Sequence, residues 1–308
     1  MKLIDLAGSQ RAVAIASRLD SQKAIAISKE LVTFLQERKI KVYAEARIAS
    51  ILGCLGRALY EMTEDQVPVV LCIGGDGTIL RVAQKLPFKN MPAILGINVG
   101  AVGFMAEFDI PSKDSFPQLV SANLIEEKCM RLSCHVDTQG QNHLPLALNE
   151  VLIITSRPSK ALSITIRVDG QVYSSGYVDG VIVSTPTGST AYAMSAGGAI
   201  VAPTIDAIQV VPVCPFARSG LKPLIVNPES AVEIELLRPK LNAIIAIDGQ
   251  FETPVVASAA TRISIKRSGS IVKFLRTQAG EASFFSRLNR KLLPGAKFPL
   301  PKHDQPEE

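Results

Sequence analysis

The sequence predicts an α/β N-terminal domain built on a parallel sheet, followed by a β-rich C-terminal domain. Three observations carry that prediction. The first third alternates short, wholly apolar runs with helix-periodic stretches, which is the pattern of strands covered on both faces by helices. Beyond Lys128 the apolar residues recur with period two, as in half-buried antiparallel strands. The 308 residues, 47% of them hydrophobic and 20% charged, leave room for two cores at roughly 150 residues per domain.

The elements follow in order. Val13 to Ala16 reads as a strand, and Ile27, Leu31, Phe34 and Leu35 then fall on one helical face. Ile40 and Val42 mark a second strand, and Ile51 to Met62 a second helix. Val67 to Ile73 is a continuous apolar run ending in glycines, as a buried parallel strand does. Another helix follows from about Ile79, then a buried strand at Ala93 to Ile97. In the second half Leu162, Ile164, Ile166 and Val168 alternate with polar residues, as do Val232, Ile234 and Leu236, and Ile263 and Ile265. Asp169-Gly170 and Asp248-Gly249 sit between such runs and read as hairpin turns whose central residues tolerate positive φ. The last strand is expected at Ile271 to Leu275, followed by a short helix around Phe284 to Leu292 and a proline-broken tail. The expected division is 1–122 for the α/β domain, 123–275 for the β-rich domain, and 276–308 for a C-terminal helix and tail that packs back on the first domain.

Composition excludes several classes of function. The chain carries 33 basic and 28 acidic residues, a net charge of +5 spread thinly, with no Trp and only 5% aromatic residues. That gives neither the basic stripe nor the stacking platform of a nucleic-acid binder. The mildly basic C-terminal stretch of Arg287, Arg290, Lys291, Lys297 and Lys302 reads as solvated surface. Five cysteines without a CxxC pair fit a reduced compartment, and the spacing of Cys129, Cys134, His135 and His143 matches no common zinc site. The N-terminus lacks the apolar core of a signal peptide. Gly180 to Ile205 has no charge, yet its Ser, Thr, Gly and Pro content reads as a loop or site and not as a membrane helix. A cytoplasmic protein with no membrane and no nucleic-acid partner is expected.

Three segments carry chemistry. Gly74-Gly75-Asp76-Gly77-Thr78 lies directly between the buried strand and a helix, at the carboxyl end of a parallel strand, where backbone N–H groups and a helix N-terminus face an anion. A carboxylate there repels phosphate unless it holds Mg²⁺ or accepts a proton from an attacking hydroxyl, and phosphoryl transfer uses both roles. Other phosphate motifs fail: there is no GxxxxGK[ST], and Leu80 stands where GxGxxG needs its third glycine. The second segment, Asp179 to Gly198, sets the hydroxyls of Thr185, Thr187, Ser189 and Thr190 beside Tyr192, a surface able to hold a ligand's polar edges and a ring. Third is Asn149-Glu150, a polar pair between apolar runs. On pattern alone such a pair is more often a turn or bulge than a site; as a site it suits a grip on ribose hydroxyls.

GGDGT with Arg81 three residues on, LGINVGAVGF (Leu95 to Phe104), LNEV (Leu148 to Val151), DGVIVSTPTGSTAYAMSAGG (Asp179 to Gly198), IDGQ (Ile247 to Gln250) and FFSRLNRKL (Phe284 to Leu292) together resemble the NAD kinase family, in that family's order and over nearly the whole chain. GGDGT alone is shared with diacylglycerol, sphingosine and 6-phosphofructo kinases; TPTGSTAY combined with NE is specific to NAD kinases. The resemblance implies transfer of a phosphoryl group from ATP with Mg²⁺ to the 2′-hydroxyl of the adenosine ribose of NAD, giving NADP, in a crevice between the domains of a homodimer or homotetramer. By position it implies Asp76 as general base, with Gly75, Gly77, Thr78 and Arg81 beside the nucleotide. Asn149 and Glu150 would grip ribose hydroxyls, Asp179 the nicotinamide end, Thr190, Ala191, Tyr192 and Ser195 the adenosine, and Gln250 the dinucleotide. No protein metal ligands are assigned. Two positions depart from the family: Phe216 where many members have His, and Tyr177 where a basic residue is frequent. These bear on cofactor preference, affinity or regulation more than on the reaction. A lipid or sugar kinase sharing GGDGT and a non-catalytic dinucleotide-binding regulator are the alternative readings.

Overall fold

The computed structural model describes residues 2–6, 12–100, 103–137, 144–216, 220–237, 242–255, 261–277 and 280–292. Its first half runs α1 (Leu3–Leu6), β1 (Ala12–Ser17), α2 (Gln22–Glu37), β2 (Lys41–Glu45), α3 (Ala49–Leu52), β3 (Leu55–Arg57), β4 (Val69–Ile73), α4 (Asp76–Lys85), β5 (Ala93–Asn98), β6 (Phe108–Asp109) and α5 (Phe116–Ser121). The second half runs β7 (Leu124–Val136), β8 (Glu150–Thr155), β9 (Leu162–Val168), β10 (Gln171–Val178), β11 (Gly180–Ser184), α6 (Tyr192–Ser195), β12 (Ile208–Val213), β13 (Leu224–Val226), β14 (Val232–Leu236), β15 (Ala243–Ile247), β16 (Phe251–Val255), β17 (Thr261–Thr277) and α7 (Gly280–Leu292).

The strands form two sheets. One holds eleven strands, its main path running β10-β9-β14-β17-β5-β4-β1-β2-β3, with β6 on β5 and β7 on β17. From β3 to β6 the pairing is parallel, and every residue of β1, β4 and β5 is buried. This is why those runs are apolar without alternation: helices cover both faces. Leu31 and Leu35 of α2 pack on one face with Phe116, while Ile79 and Val82 of α4 pack on the other with Phe274. The second sheet, β13-β12-β11-β8-β15-β16, is wholly antiparallel and sandwiches a core of Ile153, Val183 and Ile245 against Ile164, Ile234 and Ile265.

The fold class is as expected, with two corrections. The expected helix from Ile51 to Met62 is instead the single turn α3, the edge strand β3 and a 3-10 turn, Leu59–Glu61. Gly53 ends α3 in the left-handed conformation (φ 65°), so the apolar spacing that imitates a helix is spread over three short elements. The runs at Ile263 and Ile271 are one strand, β17, with only a bulge between Arg267 and Ile271. That continuity positions the site. Phe274 of β17 pairs in parallel with Ile94, while its first half pairs with β14, so one strand belongs to the parallel and antiparallel parts of the sheet. From α7, Arg287 reaches Glu107 at 3.3 Å. Both Asp-Gly turns have positive φ at both residues: 49° and 79° at Asp169-Gly170, 52° and 61° at Asp248-Gly249.

Candidate functional site

The GGDGT turn leaves the carboxyl end of β4, and α4 begins at Asp76. The helix then divides its side chains between two clefts. Asp76 and Leu80, one turn apart, face a cleft of about 390 Å³ against the second sheet. Gly77, Thr78 and Arg81 face the other way, into a cleft of about 470 Å³ with Arg18 and Arg47. The Asp76 carboxylate is fixed by two backbone donors, the N–H groups of Phe104 at 2.9 Å and Met105 at 3.0 Å. Gly103 makes this possible by close approach: a Cβ there would overlap Asp76 Oδ1.

Across the first cleft stands the segment Leu148–Glu150. The Asp248 carboxylate accepts all three of its N–H groups, from Leu148 at 2.8 Å, Asn149 at 2.7 Å and Glu150 at 3.1 Å, and Gln84 Nε2 donates to it at 3.3 Å. The carbonyls are held from the other side. Thr185 Oγ1 donates to the Leu148 carbonyl at 2.6 Å, and the Asn149 carbonyl accepts the Thr185 N–H at 2.9 Å and Ser184 Oγ at 3.3 Å. Gly188 is needed because a Cβ there would overlap the Asn149 carbonyl oxygen.

With the backbone so occupied, the two side chains are what the cleft offers. Asn149 is 5% exposed and Glu150 7%, yet Asn149 Oδ1 and Glu150 Oε2 are buried without a hydrogen-bond donor. Buried acceptors are almost always paired, so donors for these two come from outside the chain, from water or from a ligand. Burial, aided by the neighbouring Asp248 charge, pushes the Glu150 carboxyl up to about 8. Burial also raises Asp248, against the pull of its three backbone donors. Behind them lies Arg131, fully buried and lowered by burial to about 10, with the Asp248 charge working to hold its proton.

The 3-10 turn Thr187–Thr190 and the start of α6 close the cleft with Thr187, Thr190, Ala191 and the half-exposed ring of Tyr192. Six expected residues therefore meet here: Asp76, Asn149, Glu150, Thr190, Ala191 and Tyr192. Gly75, Gly77, Thr78 and Arg81 meet in the second cleft. Three others line neither. Asp179 is at the far end of β11, roughly 20 Å of extended chain from Thr185. Ser195 is exposed at the end of α6, and Gln250 is exposed in the β15–β16 turn. The two departures from the family pattern are neighbours, since the Phe216 N–H donates to the Tyr177 carbonyl at 2.8 Å. Glu252 in the first cleft, and Arg18, Arg47 and Glu45 around the second, carry no signal in the sequence, whereas Thr187 and Asp248 lie in the hydroxyl cluster and the IDGQ turn that it offers.

Glu45 organises the second cleft. Its carboxylate, 3% exposed, accepts a bidentate bond from Arg81 at 2.6 and 2.8 Å and one from Arg47 Nε at 2.6 Å. Burial works to raise its pKa, but the two guanidinium groups outweigh it and hold the carboxyl below its ordinary value. Arg18 pairs with Asp20 at 2.8 and 2.9 Å on the exposed rim. Three guanidinium groups thus gather beside the N-terminus of a ten-residue helix, Arg81 and Arg47 paired with Glu45 and Arg18 with Asp20. Among the described residues no three His, Cys, Asp or Glu side chains converge as a metal cage, and no helix is long and apolar enough to cross a membrane. His143 and residues 217–219 lie outside the described residues.

Comparison with known proteins matches both halves of the chain. The family model described as the ATP-NAD kinase N-terminal domain matches residues 13–124, and that described as the ATP-NAD kinase C-terminal domain matches residues 148–277. A protein named NAD kinase from Methanothermobacter thermautotrophicus is 35% identical over 283 residues, covering 92% of this chain and 96% of that one. One of the same name from Methanospirillum hungatei is 41% identical over 224 residues, covering 73% and 79%. Among solved structures, an NAD kinase from Archaeoglobus fulgidus in complex with ATP superposes with a TM-score of 0.63 at 27% identity, over 91% of this chain and 98% of that one. Yeast NADH kinase complexed with NADH gives 0.78 at 24% identity, over 95% and 90%, a likeness of fold.

Proposed function

The chain belongs to the NAD kinase family, and from that premise we propose that it transfers the terminal phosphoryl group of ATP to the 2′-hydroxyl of the adenosine ribose of NAD, giving NADP and ADP. The observation that carries this reading is the pair of unpartnered buried acceptors, Asn149 Oδ1 and Glu150 Oε2, in the same cleft as the Asp76 carboxylate. Ribose hydroxyls are donors of the right kind for both. Tyr192 and the hydroxyls of Thr187 and Thr190 suit the adenosine.

In the reaction the 2′-oxygen attacks the γ-phosphorus, its proton passes to Asp76, and the bond to the β,γ-bridging oxygen breaks, leaving ADP. A ribose hydroxyl is a weak nucleophile at neutral pH, so a positioned base contributes about 10² to 10⁴ in rate. The bonds from Phe104 and Met105 to Asp76 fix the carboxylate while leaving lone pairs for the proton. The donor's phosphates are assigned to the arginine cleft and the N-terminus of α4, whose first turn is the wall between acceptor and donor.

Mg²⁺ fits this donor set as an ion carried by the phosphates and one or two carboxylates, of which Asp76 and Glu252 line the cleft. When bound it neutralises charge on the transferring group. The same reading keeps the division at 1–122, 123–275 and 276–308. It assigns Asp179, Ser195 and Gln250 to the outer parts of the dinucleotide, in a homodimer or homotetramer whose neighbouring subunit completes the cleft. Five free cysteines favour the reducing cytoplasm. The test is a coupled assay on the purified protein: NAD and ATP should yield NADP and ADP in equal amounts, and ADP without NADP would overturn the reading.

A further inference from the structure

We infer that the donor's base and sugar lie over Tyr60, in a third cleft that continues the arginine cleft along α4, so that the donor is a nucleoside triphosphate and not a bare phosphate chain. This rests on the proposed phosphoryl transfer and adds the subsite that selects the donor.

The third cleft, about 390 Å³, is floored by Ala46, Ala58 and Leu59 and edged by Tyr60 and Lys85. Arg47 lines both this cleft and the arginine cleft, and Glu45, which lines the third, grips Arg81 in the second. The two therefore form one trough. Tyr60 and Glu61 are the exposed residues of a 3-10 turn whose other apolar residue, Leu59, is buried; at 69% Tyr60 is the most exposed of the large hydrophobic side chains described. A flat ring presented beside small alanines and flanked by cations is a stacking surface for a base, not a contribution to the core.

Helix geometry sets the order of the parts. Gly77, Arg81 and Lys85 are spaced i, i+4, i+8 and lie on one face of α4, about 12 Å from first to last along the axis at 1.5 Å per residue. Gly77 is at the helix N-terminus beside Asp76; Lys85 is at the third cleft. A nucleoside triphosphate laid along this face puts its base over Tyr60, its phosphates on Arg81, Arg47 and Arg18, and its terminal phosphorus at the turn that carries Asp76. Charge falls in the same order: the third cleft is mostly apolar with one free-standing cation at its edge, and the arginines gather where the phosphates are.

The experiment compares the parent with Tyr60→Ala and Tyr60→Phe, measuring the KM for ATP, the KM for NAD, the inhibition constant of tripolyphosphate against ATP, and ADP binding by calorimetry. Tyr60→Ala should raise the KM for ATP and weaken ADP binding by about 10-fold, the scale of a lost base–aromatic stack. Tripolyphosphate, which has no base, should inhibit as before, the KM for NAD should hold, and Tyr60→Phe should restore ATP affinity. An unchanged KM for ATP would overturn the inference. So would equal weakening of tripolyphosphate, which would mean that Tyr60 acts through the arginines. If the parent makes no NADP, the phosphoryl-transfer reading fails, and ADP binding to the parent and to Tyr60→Ala still decides the subsite.

Discussion

Burying Glu150 costs the folded protein stability as its carboxyl ionises. Burial and the Asp248 charge raise its carboxyl from an ordinary 4.5 to about 8. The folded state therefore keeps a proton that the unfolded chain releases near 4.5, and stability falls as pH rises across that window. The penalty is absent below the unfolded value and complete above the folded one. At about 1.4 kcal/mol per unit, a shift of this size corresponds to at most about 4 kcal/mol between about pH 5 and pH 8.5. Glu150→Gln keeps the shape and removes the ionisation. It should match the parent in urea unfolding near pH 4, where Glu150 is mostly protonated in both the folded and the unfolded parent, and exceed it by about 2 to 4 kcal/mol near pH 8.5. The same variant should raise the KM for NAD in assays above about pH 8, where the ionised Glu150 carboxylate is a stronger acceptor for the ribose than an amide oxygen. A gain independent of pH would refute the argument from burial, and an unchanged KM would remove Glu150 from the ribose contacts.

Three further perturbations follow from the geometry. Gly103→Ala places a methyl against Asp76 Oδ1 and should cost about 10²-fold in kcat through a shift of the base, with little change in the KM for ATP. Asp248→Asn turns an acceptor of three backbone N–H groups into an amide that cannot satisfy them all; urea unfolding should show a loss of about 1 to 3 kcal/mol, while titration by NMR should find the Glu150 pKa lowered. Arg81→Met removes the bidentate partner of Glu45; the Glu45 pKa should rise and the KM for ATP should increase about 10-fold, more than that for NAD.

The parts of this molecule that were legible in sequence are those where one physical demand shapes several adjacent residues. The apolar runs of β1, β4 and β5 show burial on both faces, and GGDGT shows a strand end turning into a helix. Asp248 illustrates the opposite case. Its positive φ of 52° in a two-residue hairpin already accounts for an Asp-Gly pair, so the turn hides the carboxylate's second role as acceptor for the NE segment about a hundred residues away. Arg18 and Arg47 stand singly beyond the ends of β1 and β2, and only the parallel pairing of those strands brings them to Arg81. Ser268-Gly269-Ser270 has the composition of a turn and so divides β17 into two strands in the sequence, whereas pairing to β7 on both sides of the bulge keeps it one strand.

In the proposed reaction one carboxylate, Asp76, takes the proton from a ribose hydroxyl held by Asn149 and Glu150. The most direct test of this step is Asp76→Asn, measured for both turnover and NAD binding under identical conditions. NAD binding and the folded structure should persist while kcat falls by about 10² to 10⁴. Near-normal turnover in Asp76→Asn would contradict it.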